Sequence, residues 1–196
     1  MSTRHRDAAP PLSQEFELAL ASLQSVRLRP EVTVQETPAP ARLAPHSVAM
    51  LGEAAIDNEE VASGRFVLLH DPDGQEPWGG RFRVVSFVRA SVELEMAADP
   101  VVTEVAWAWL LEALQERGAR WTLPSGTVTR TASQSFGALE DRPPVGEVEV
   151  RASWTPDDAD LGPHLQAWAD LLAQVGGLPP LPAGVSSLPR IRPTSR

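Results

Sequence analysis

Cysteine, lysine and tyrosine are all missing from this chain of 196 residues, and each absence removes a class of chemistry. Without cysteine there are no disulfides, thiolate nucleophiles or thiolate metal sites. All 17 residues counted as Lys+Arg are arginine. Schiff-base chemistry, a phosphate-binding-loop lysine and a tyrosine acid are therefore excluded. No run comes near the roughly 18 apolar residues that a membrane-crossing helix needs. Met1 to Asp7 carry basic side chains with no apolar stretch behind them, so they do not read as a secretory signal and the expectation is a cytoplasmic protein. Positive charge is scarce too. A formal net charge of −9 argues against a nucleic-acid partner, because phosphate affinity comes mainly from neutralising charge. Nucleophile elbow, phosphate-binding loop, dinucleotide fingerprint and zinc motif are all absent, so neither a cofactor nor a metal is expected.

What the chain does have is a unit written twice. Val88-Arg89-Ala90-Ser91 recurs 62 residues later as Val150-Arg151-Ala152-Ser153, and Gly64 recurs at the same interval as Gly126. Trp107-Ala108-Trp109-Leu110-Leu111 recurs as Trp168-Ala169-Asp170-Leu171-Leu172, at an offset of 61. A fixed period constrains architecture before any local pattern does.

The local patterns fill in the elements. Leu12, Phe16, Ala19, Leu23 and Val26 form one stripe of an amphipathic helix, with Ser13 as its N-cap and Arg29-Pro30 as its end. Residues 30–45 hold four prolines and read as an extended crossing segment. Strands are predicted over 47–55 and 64–70, the second running into His70-Asp71-Pro72-Asp73-Gly74, a turn sequence. Residues 81–96 alternate apolar and polar throughout, which predicts a strand long enough to need a bend or bulge. Asp99-Pro100 opens a helix that Gly118 stops. A second strand pair is predicted over 127–136 and 147–154. A last helix, striped by Leu161, Leu165, Trp168, Leu172 and Val175, ends at Gly176-Gly177.

The predicted order is α-β-β-β-α-β-β-α. The fold class is α+β, two-layer, an antiparallel sheet with helices on one face and an internal ββα duplication. Residues 13–177 form the expected domain, with repeat units at 64–118 and 126–177, between a loose N-terminus (1–12) and a proline-rich tail (178–196). This element order resembles the secretion-chaperone-like topology.

Three places are candidates for function. Trp107 and Trp109, two apart on a helix, point about 200° apart. Trp107 matches the core-facing Trp168, whereas Trp109 matches Asp170 and needs another cover: the N-terminal helix, the 30–45 segment or a partner subunit. On the wet face of the sheet, Arg89 and Arg151 occupy equivalent positions, each followed by a serine, with Thr127, Thr129 and Thr131 nearby. Such a pair can hold a carboxylate, a phosphate or an acidic peptide, unless neighbours such as Glu93 and Glu149 neutralise it. The third place is the hairpin over 65–80, where Arg65, His70 and Asp71 would line a site. Turn formation explains His70 and Asp71 equally well. Asp157, Asp158 and Asp160 precede a helix and are assigned to capping rather than to metal.

Arg29-Pro30-Glu31, the segment Pro38 to Pro45, and Gly64-Arg65 through His70-Asp71-Pro72 point to one family. Asp99-Pro100, Gly126-Thr127-Val128-Thr129 and Ala152-Ser153-Trp154-Thr155-Pro156 do the same. In these segments the chain resembles an uncharacterised actinobacterial family, domain of unknown function 3000, from about Phe16 to Pro189. The resemblance implies a cytoplasmic actinobacterial protein and carries no activity. It also implies an aromatic residue where His46 stands, which speaks against catalysis by that histidine. The reading is of a non-enzymatic protein-binding adaptor or chaperone-like module, with a protein partner or self-association as a homodimer. The alternative is a small-molecule sensor or enzyme working at the 65–80 hairpin.

Overall fold

The computed structural model describes residues 12–40 and 43–180. The N-terminus expected to be loose lies outside them apart from Leu12, as does the proline-rich tail beyond residue 180. The described residues hold four helices: α1 (Gln14–Gln24), α2 (Leu94–Ala98), α3 (Val102–Glu116) and α4 (Gly162–Val175). The strands are β1 (Val32–Thr37), β2 (His46–Ile56), β3 (Glu59–Gln75), β4 (Gly80–Val92), β5 (Trp121–Ser133) and β6 (Val145–Pro156). They form one antiparallel sheet in the order β1-β2-β3-β4-β6-β5. Helices and sheet share a single apolar layer that runs from Phe16 through Leu110 and Val150 to Trp168. The α+β class and the antiparallel sheet stand as expected. Part of the 30–45 segment also serves as an edge strand, β1, paired with β2.

Phe82, Val84, Ser86, Val88 and Ala90 are buried beneath the helices, and the odd positions of β4 face the other way. The strand is shorter than its alternation suggested. It stops at Val92, and Leu94 and Met96 belong to α2 instead. The irregularities fall on other strands, between Ala54 and Ala55 in β2, between His70 and Gln75 in β3 and between Thr122 and Ser125 in β5. Pro72 lacks a donor for the ladder and Gly74 has φ +76°, so pairing lapses there while the strand continues. The chain reverses later, in a short 3-10 turn over Glu76–Trp78 closed by Gly79 at φ +65°.

The helix ends follow local chemistry. Ser13 Oγ accepts the Phe16 N–H at 3.2 Å and caps α1, which ends at Gln24, ahead of Arg29-Pro30. Asp99 Oδ1 accepts the Val101 N–H at 2.9 Å just before α3. Gly118, at φ +70°, follows its end.

The duplication is visible at the centre of the sheet. Val88 of β4 lies directly opposite Val150 of β6, flanked by the pairs Phe87–Arg151 and Arg89–Glu149. Equivalent residues therefore meet about a local twofold axis, and the helices cross it. Trp168 of α4 lies over Gly64 of β3, where an added Cβ would come 3.0 Å from Cζ2 of the indole. Trp107 of α3 lies over Gly126 of β5, where the corresponding distance to Cζ3 is 2.7 Å. Each copy's helix thus rests on the strands of the other. The two glycines sit two steps apart in register, since Gly64 faces Val88 whereas Gly126 faces Ala152.

A candidate binding face opposite the helices

The helix-free face is built from the odd positions of β4 and β6 and their neighbours in β3 and β5. Part of it carries a small apolar cluster. Ala49, Val67 and Leu69 are buried there, with Ala39, Ala44 and Trp78 packed against them. Trp78 folds back from the β3–β4 connection onto this cluster. Beside this cluster the face hollows into a concavity of about 490 Å³, lined by Val67, Val85, Phe87, Arg65, Arg151 and Ser153 among others. Val85 is 42% exposed, unusually open for a valine in mid-strand. Two arginines contribute to the lining and no carboxylate does.

The two equivalent arginines differ in their roles. Arg89 lies away from the concavity and is paired with Glu147, its Nε donating at 3.1 Å. Arg151 pairs with Glu149 at 2.7 Å, and its guanidinium carbon stands 5.7 Å from the Phe87 ring centroid. Thr127 borders the concavity, and Thr129 and Thr131 lie opposite Glu149 and Glu147 on the same face. Arg65 donates from Nη2 to the Pro38 carbonyl at 2.9 Å. Its Nε is buried and has no partner among the described residues.

Arg83 carries no local sequence signal, yet it braces the edge of this face. It donates to the Leu123 carbonyl at 3.0 Å, Thr155 Oγ1 at 3.0 Å, Ser125 Oγ at 3.1 Å and Ser153 Oγ at 2.6 Å. Burial lowers its pKa from the ordinary arginine value. These bonds hold the bulge in β5 at which Leu123 adopts φ +48°, a conformation costly for a leucine.

The three residues expected to share a hairpin site do not converge. Arg65 and His70 project from opposite faces of β3, five residues apart on a period of two. His70 is fully buried on the helix side, where its ring stacks with Phe16 and His46 and meets Phe82. Its Nδ1 lies 3.4 Å from Ser13 Oγ and its Nε2 lies 3.3 Å from Glu15 Oε2. A neutral imidazole protonated on Nε2 satisfies both contacts. Burial pushes its pKa below the usual histidine value, against the opposing pull of Glu15. His70 is thus a clamp on the first turn of α1. Asp71 is occupied within its own loop, accepting from the Asp73 N–H and from Gln75 Nε2, each at 3.1 Å.

Trp109 and Trp107 are both part-buried and packed against the main core. The buried stripe of α3 runs instead through Val102, Ala106, Leu110, Ala113 and Leu114. A much more exposed aromatic is Phe136, at 75%, in the connection between β5 and β6. The acidic residues before α4 are used structurally: Asp158 Oδ1 accepts the Asp160 N–H at 2.9 Å, and Asp160 Oδ1 accepts Ser22 Oγ–H at 2.7 Å.

A further buried histidine lies in the last helix. His164 is buried in α4, where its Nδ1 accepts from Trp154 Nε1 at 3.0 Å. Burial lowers its pKa to about 4. Its proton therefore sits on Nε2, which has no partner among the described residues.

The family model described as protein of unknown function (DUF3000) matches residues 12–186, and the chain belongs to that family. No curated protein and no solved structure matches it.

Proposed function

We propose that this family member is a non-enzymatic binding protein of the cytoplasm that engages its partner on the helix-free face of the sheet. The observation carrying this reading is the concavity of about 490 Å³ with Val67, Val85 and Phe87 in its lining, a size within the range of organic-ligand sites. Catalysis is disfavoured by where the titratable groups sit. His70 and His164 are buried on the helix side, and no histidine or carboxylate lines the concavity. Both roles weighed from the sequence, an adaptor or chaperone-like module and a small-molecule sensor, run through this face rather than the hairpin. The test uses Nile red, a neutral dye whose emission rises in apolar surroundings. Wild-type protein is expected to raise the emission several-fold, and Val85→Glu to abolish the rise while far-UV circular dichroism stays unchanged. Equal dye response in both proteins would remove the concavity as the binding surface.

Self-association is a second reading, favoured by the outer edge of β5, which pairs with no strand among the described residues, and by the exposed Phe136 that follows it. Light scattering behind size exclusion tests it: a dimer is expected to revert to monomer in Phe136→Ser. A wild-type monomer at high concentration would end this reading.

A further inference from the structure

We infer that the concavity selects an organic anion: a carboxylate carried on a flat or branched apolar body, its charge held between Arg65 and Arg151. The inference rests on the reading of this face as a binding surface and goes beyond it by naming the ligand class. Its first ground is charge. The chain has 26 acidic residues and a net charge of −9, yet this hollow is lined by two arginines and no carboxylate: Arg151 is paired with Glu149 outside the lining, and Arg65 has no carboxylate partner among the described residues. Its second ground is an unspent donor. Arg65 uses Nη2 on the Pro38 carbonyl, while its buried Nε has no partner among the described residues. A buried guanidinium donor left unpaired costs free energy that an incoming carboxylate would recover. Its third ground is the shape of the apolar surface. Phe87 lies in register between Arg65 and Arg151, and Val67 and Val85 lie in the next row beside Ser153, so a ligand with an apolar body covers Val85 and Phe87 while its charged end reaches the guanidinium groups. Arg151 already stands over the Phe87 ring and is paired with Glu149, which restricts its position before any ligand arrives.

The test compares three probes with one shared body: naphthalene-2-carboxylate, 2-naphthylmethanol and 2-naphthylmethylamine. Each is titrated calorimetrically into the wild type, Arg65→Gln and Arg151→Gln. The acid is expected to bind at least tenfold more tightly than the alcohol, and the amine more weakly than either. Both variants are expected to erase the preference for the acid while leaving the alcohol within about twofold. Arg151 is 60% exposed on its side chain, so Arg151→Gln keeps the test valid if Arg65→Gln disturbs the Pro38 contact. Equal binding of acid and alcohol, unchanged in Arg151→Gln, overturns the anion assignment, and Nile red binding would then leave the binding face itself standing. Failure of all three probes, with the dye still bound, overturns it as well.

Discussion

Helices α3 and α4 descend from the same repeated unit, yet α4 has ten buried residues out of fourteen and α3 five out of fifteen. The difference comes from what flanks them. α4 lies across β2, β3 and β4, with α1 on one side and α3 on the other. α3 lies over β5, which is an edge strand. The tryptophans record the contrast: Trp168 is fully buried over Gly52 and Gly64, whereas its equivalent Trp107 is part-buried over Gly126. A repeat in sequence therefore gives equivalent geometry without equivalent energetics, because only one half of the sheet is extended by β1, β2 and α1.

The sharpest way to break the comparison is to truncate each tryptophan. Trp168→Ala is expected to cost about 3–5 kcal/mol in urea unfolding, and Trp107→Ala about 1–2 kcal/mol. Equal costs would mean that burial depth does not separate the copies. Acid comes next. His164 has Thr103 as its counterpart in the first copy, so its titration acts on α4 alone. Its folded pKa of about 4 lies below the unfolded value of 6.5, so the unfolded chain binds the proton first. Stability contributed by the neutral ring is present above pH 6.5 and is lost as the pH falls towards 4, by up to about 3 kcal/mol. Buried His70 shifts the same way and adds to the slope. Denaturant midpoints between pH 7 and 4 should fall less steeply in His164→Gln; an identical slope would assign the acid sensitivity elsewhere. The smallest effect sharpens the odd pairing of Trp109 with Asp170. Asp170 accepts from Arg117 at 2.5 and 2.8 Å and so ties α4 to the end of α3. This pair is partly exposed, and a double-mutant cycle should give about 0.2–1 kcal/mol. A coupling near zero would leave the repeat's polar substitution without a structural role.

Features with a local cause were legible from the residues. The alternation along β4, the Ser13 cap and the glycine stop of α3 each follow from neighbours a few positions apart. β1 was not legible as a strand, because Val32–Thr37 is a short, half-polar edge segment beside prolines. The Asp71–Gly74 stretch misled for the opposite reason: its turn chemistry is real, but it produces an irregularity inside β3 rather than the reversal. Of the candidate site, the shared face of Arg151 and Thr127 followed from period-two reasoning. The concavity did not, because it needs β3, β4, β6 and β5 side by side, and strand order is set by long-range pairing. Nor did the sequence hint that His70 meets Ser13 and Glu15, 57 and 55 positions away.

The crossing of the helices has a consequence for how the chain is made. As it leaves the ribosome, the strands around Gly64 emerge long before the indole that seals them, and α3 emerges before the strand on which it rests. Neither half can close on its own contacts, so productive burial waits until α4 has been synthesised. Until then the nascent chain holds its largest apolar surface open, the stage at which a holding factor would matter most.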